Sequence, residues 1–144
     1  MRGAVLMRSL FLLVCCLGLA RFALADGLLV IANGKVPEAQ ISLEELMNIY
    51  RIRKVTWSNA LAIVPVNREA SSRERQQFSE MVFDRSTMEL ADYWNRLRFQ
   101  GKIPPVVQNS DQSVVGFVRN IPGAIGYIND TSEHAGVKVL LRLE

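Results

Sequence analysis

The stretch from Val66 to Phe78 reads VNREASSRERQQF and brings together three kinds of group that hold an oxyanion. Arg68 stands at the end of an apolar run and offers a guanidinium fork able to make two parallel hydrogen bonds. Ser71 and Ser72 offer hydroxyls at the entry of a helix predicted over about Ser72 to Val82, and Arg73 or Arg75 falls in its first turn. A helix start also presents unpaired N–H groups and a partial positive charge. Strand-to-helix corners are where open α/β sheets place ligands. The candidate site is therefore Arg68, Ser71, Ser72 and Arg73. A second reading needs no ligand. Ser71 followed by Glu74 is an S-x-x-E capping box, and Glu69 and Glu74 put negative charge beside the proposed site. Arg73 and Arg75 can pair with those neighbouring glutamates.

Other chemistry finds little support. His134 is the only histidine and lies in a predicted loop, SEHAG. A metal site needs several ligands, and neither a cysteine nor a second histidine follows residue 25. The segment NDTSEHAG carries Asp130 and Glu133 without the regular spacing of a calcium loop. There is no Ser-His-Asp arrangement and no Gly-rich nucleotide loop. No catalytic residue, no metal site and no cofactor are expected. Trp57, Trp94, Tyr93 and Tyr127 read as core anchors, with Tyr127 near enough to a turn to line a cleft.

The elements that must position Arg68 and Ser72 follow from periodicity and punctuation. LLVIAN (Leu28 to Asn33) is a short apolar, β-branched run that suits a buried strand. Ser42 opens a helix as the start of a second capping box, SLEE, with Leu43, Leu46, Met47 and Tyr50 at helical spacing. ALAIVPV (Ala60 to Val66) is a second strand, in which Pro65 points to an edge position or to the strand's end. Ser86 or Thr87 caps a helix over about Met88 to Phe99, with Leu90, Tyr93, Trp94 and Leu97 on one face. Val106-Val107 adds a short extended segment. Ser110-Asp111 caps a further helix to about Arg119. AIGYI (Ala124 to Ile128) is a third strand, whose Gly126 implies close backbone approach, and VKVLLRL (Val137 to Leu143) is a fourth. Strands alternating with helices predict an α/β fold with a mixed, mainly parallel sheet and helices packed on it.

The first 25 residues read as an export signal. Arg2 and Arg8 precede an apolar run from Leu10 to Leu19, and Ala23-Leu24-Ala25 has the small-x-small form of a cleavage site. The run falls short of the roughly 20 residues of a membrane-spanning helix. This bacterial style of signal points to the periplasm, with one domain over 26–144. The chain has 17 basic and 14 acidic side chains, but Arg2, Arg8 and Arg21 lie in the signal. The remainder is formally neutral and offers no basic stripe for nucleic acid. Cys15 and Cys16 also fall in the signal, so no disulfide is expected beyond it.

Four segments in order resemble the phosphate-type periplasmic substrate-binding family, and in particular its short one-lobed relatives. They are LLVIAN with ISLEELMNIYRIRKVTW, AIVPVNREASSRERQQF, YWNRLRFQGKIPP and VVGFVRNIPGAIGYI, which together span Leu28 to Ile128. The resemblance implies a single substrate-binding-protein-like lobe and phosphate held by an arginine, a serine and the backbone at a helix start. Arg68 and Ser72 match that arginine and serine. The Asp-Gly-Ser-Gly-Thr type loop of full-length phosphate binders is here Glu69-Ala70-Ser71-Ser72-Arg73-Glu74, so the glycines are missing and Glu74 takes the place of a contacting threonine. One lobe also leaves its ligand half in water, where an arginine–anion contact is worth about 1 kcal/mol rather than about 4. The expectation is a non-enzymatic, exported protein of phosphate transport or sensing, with inorganic phosphate or a similar oxyanion bound weakly or no longer. The alternative is an interaction module without a small-molecule ligand, docking on a membrane transporter or sensor component.

Overall fold

The computed structural model describes residues 26–144, so the expected export signal lies outside the described residues. The chain runs β1 (Leu28–Ala32), α1 (Leu43–Tyr50), β2 (Val64–Arg68), α2 (Arg73–Phe83), α3 (Thr87–Phe99), β3 (Val106–Gln108), α4 (Asp111–Asn120), β4 (Ala124–Asn129) and β5 (Lys138–Leu143). The five strands form one sheet in the order β3-β2-β4-β1-β5. It is a mixed α/β sheet. Its β3-β2-β4 half is parallel and carries the candidate corner, while β1 pairs antiparallel with both β4 and β5.

Strand alternation sorts the core into two faces. Leu28, Val30, Ile125 and Tyr127 pack with Leu46, Ile49 and Tyr50 of α1 and with Phe78 and Val82 of α2. Leu29, Ile31, Val66, Ala124 and Ile128 meet Val114, Val115 and Val118 of α4. The sheet is thus covered on both sides, which is why β1, and β4 from Ala124 to Ile128, carry no charged or strongly polar residue. Gly126 lies where α4 crosses β4: a Cβ there would sit 2.7 Å from Val114 Cγ1.

Three local expectations are corrected. Strand β2 begins at Val64, later than Ala60, because Ala60 takes a left-handed φ of 65° in a turn and Leu61 to Ile63 pair back onto Val55 to Trp57 before the chain joins the sheet. It is also an interior strand. Pro65 is tolerated because it pairs with Ile125 of β4, and pairing with β3 begins only at Val66. The Ser71–Glu74 capping box does not form. Ser72 is the N-cap of α2 and accepts from Arg75 N at 3.1 Å. The Ser72 amide is already turned back onto Glu69 O at 3.0 Å, which delays helix entry by one residue. Full reciprocal boxes appear at Ser86 with Glu89 and at Ser110 with Ser113 instead.

Candidate functional site

Strand β2 delivers Arg68 to the C-terminal edge of the parallel half, and the short turn Glu69–Ser72 leads directly into α2. An aromatic stack lies beneath this corner. Tyr127 lies flat on Phe78 with centroids 3.9 Å apart, and Tyr50 tilts against both. The Tyr127 hydroxyl donates to Asn67 Oδ1 and accepts from Arg68 N at 3.2 Å. Tyr50 donates to Val66 O at 2.7 Å. Burial raises the pKa of both hydroxyls, so they are locked as neutral donors under the strand end.

Arg68 is buried, with 7 % of its surface exposed, and every guanidinium nitrogen meets a carboxylate. Nε and Nη2 donate to the two Glu69 oxygens at 3.3 Å each. Nη1 donates to Asp111 Oδ1 and lies 3.5 Å from Glu74 Oε2. Burial alone would lower the Arg68 pKa. The Glu69 hydrogen bonds and the charges of Asp111, Glu69 and Glu74 outweigh it, and the net shift is upward. The Arg68 contacts in turn hold the Glu69 carboxyl below its ordinary range. Asp111 is itself anchored: its Oδ2 accepts from Asn129 N at 2.9 Å and from Ser132 Oγ at 2.7 Å.

The sequence-derived site residues separate in space. Arg68 and Ser72 come together, both buried. Ser72 spends its hydroxyl on the helix cap and its amide on Glu69 O. Ser71 is exposed and lines an open groove of about 560 Å³ between α2 and the start of α3, with Gln76, Glu80, Thr87 and Met88. The Arg73 side chain points outward to Asp26 at 3.6 Å. Among the described residues no acceptor meets the amides of Ser71 and Arg73. The backbone half of an anion site is therefore available, and the guanidinium half is occupied.

Two residues at this corner carry more weight than their sequence positions suggest. Asp111 reads from sequence as part of a helix cap, yet it grips Arg68 from 43 residues away, and only the β2–β3 pairing brings it there. Arg75 turns inward and donates from Nη1 to Arg68 O at 2.6 Å. Burial lowers its pKa, with Tyr127 and Tyr50 opposing the shift. Among the described residues no group of three or more His, Cys, Asp or Glu side chains is placed to hold a metal ion.

A family model described as a PBP superfamily domain matches residues 20–139. The chain belongs to the PBP superfamily. Solved structures of similar shape include an ABC-type phosphate transport receptor from Vibrio cholerae, 26 % identical with a TM-score of 0.64. They also include a putative phosphate ABC transporter substrate-binding protein with bound phosphate from Clostridium perfringens, 22 % identical at 0.66, and PstS from Borrelia burgdorferi, 20 % identical at 0.61. Each match covers 80 % of this chain and 44–46 % of the other, so this superfamily member spans less than half the length of those proteins. No curated protein matches.

Proposed function

We propose that this chain is an exported, non-enzymatic, receptor-like protein of phosphate transport or sensing whose own oxyanion corner is held shut. Residues 1–25 act as its signal, cut near Ala25, and 26–144 form one domain working in the periplasm. It acts by contact with a membrane transporter or sensor component rather than by carrying free phosphate. The observation that carries this reading is the triple carboxylate grip of Glu69, Glu74 and Asp111 on Arg68.

The charge balance explains the consequence. Three carboxylates surround Arg68, and even with Arg75 counted the corner remains negative by one. A carboxylate about 4 Å from an incoming anion opposes it by about 4 kcal/mol at an effective dielectric near 20, as much as one arginine contributes. A millimolar complex needs about −4 kcal/mol after losses of motional freedom. The open amides of Ser71 and Arg73 add only about 0.3–1 kcal/mol at an exposed helix end.

Calorimetric titration with phosphate, sulfate and acetate tests this. The native protein should give no saturable heat up to about 1 mM ligand. The double variant Glu69→Gln, Glu74→Ser should gain phosphate binding, because it removes two charges and leaves one neutral acceptor where Nε and Nη2 had two carboxylate oxygens. Submillimolar phosphate binding by the native protein that Arg68→Ala abolishes would overturn the reading.

A further inference from the structure

A second, oppositely charged site lies where α1, α2 and α3 meet. Arg51, Arg53, Arg85 and Arg96 converge with Tyr93 and Glu89 on a concavity of about 400 Å³. Elsewhere, Arg68, Arg73 and Arg142 sit on carboxylates and Arg75 and Arg119 on backbone carbonyls, and Arg98 stands without such a partner among the described residues. Among the described residues, none of the four converging arginines pairs with a carboxylate. Glu89 is the one acidic side chain in the lining, and it accepts from Ser86 N at 2.8 Å as part of the α3 cap.

The bland explanation is that cations complement the C-terminal ends of α1 and α2. Those ends supply about half a negative charge each, and Glu89 supplies one more. Against four guanidinium groups, roughly two positive charges remain. The site is also built rather than merely decorated. The Arg51 guanidinium lies over the Phe83 ring, 5.3 Å from its centroid, which leaves its edge N–H groups free to donate. Tyr93 donates to Arg51 O at 2.7 Å and ties α3 to the end of α1.

The backbone fixes where these arginines stand. Ile52, between Arg51 and Arg53, has φ 57°, and Asp84, just before Arg85, has φ 52°. Such helix ends favour glycine, and α3 indeed uses Gly101 at φ 77°. A β-branched residue held there is strained. Ile52 is kept in place by Ile52 N to Ile49 O at 3.0 Å and Arg53 N to Asn48 O at 2.9 Å. The strained residue, Ile52, lies between two of the four arginines, and Asp84 closes α2 just before a third.

We infer that this concavity binds an anion carrying two or more phosphoryl groups. A compact multiple anion matches the surplus charge, guanidinium forks match phosphoryl oxygens in pairs, and the volume lies within the range of small-ligand sites. The phosphoryl groups come either from a soluble oligophosphate or from a lipid headgroup. This site is separate from the Arg68 corner, so either proposal can fail alone.

The test is calorimetric titration of the protein with tripolyphosphate at low salt, alongside cosedimentation with phosphatidylcholine vesicles with and without cardiolipin. The triple variant Arg53→Gln, Arg85→Gln, Arg96→Gln removes exposed charges and leaves Arg51 on Phe83. Saturable tripolyphosphate binding, weakened about tenfold or more in that variant and unchanged in Arg98→Gln, supports a soluble ligand. Cardiolipin-dependent sedimentation lost in the same variant supports a headgroup. Absence of both, or binding indifferent to the triple variant with its fold intact, overturns the inference.

Discussion

Arg68 is a cation committed to its own chain. Glu69 occupies Nε and Nη2, and Asp111 and Glu74 share Nη1. Arg68 and Ser72 could be read from the sequence as neighbours because a strand end and a helix start four residues apart must meet. Their occupation could not be read, because Asp111 arrives through strand pairing that no local pattern encodes. The grip has a pH signature. Its Arg68 hydrogen bonds depress the Glu69 pKa in the fold, so Glu69 contributes stability above its unfolded value of about 4.3. That contribution is lost as pH falls through the lower folded value. In denaturation experiments the native protein should therefore exceed Glu69→Gln in stability near neutral pH, and the gap should close in acid. A gap that widens in acid would contradict the ion-pair account.

At the scale of elements, the sequence was most informative where one residue type answers one geometric need. Gly126 marked a close approach, and α4 passes there with Val114 in the way of any Cβ. Gly126→Ala should cost about 1–3 kcal/mol by overpacking, read as a lower denaturation midpoint at constant slope. No loss of stability would mean that α4 lies farther from β4. Serine caps were readable as helix starts, but the choice between adjacent serines was not. The Glu69–Ser72 turn selects Ser72 over Ser71, and that turn depends on where β2 ends. Pro65 misled toward a sheet edge because sequence does not reveal that its neighbour β3 is only three residues long. The arginines at the ends of α1 and α2 are unremarkable singly, and only the packing of α3 beside them makes a cluster.

At the scale of the whole molecule, order and charge separate. The fold class and the family resemblance were readable because strand, helix and turn signals recur in one order along nearly the whole described chain. The polarity of its two ends was not, because a formally neutral stretch hides how its charges are distributed. One end of the sheet gathers carboxylates around Arg68, and the helix ends elsewhere gather arginines. Phe99 and Ile103 before β3 and Val107 within that edge strand are exposed apolar side chains. The most direct measurement is an NMR titration of the native protein with phosphate to about 10 mM, following Arg68 Nε–H and the Ser71 and Arg73 amides. The account predicts that Arg68 Nε–H stays on Glu69 with no saturable shift. A saturable shift of all three signals, with half-effect below a millimolar, would contradict it.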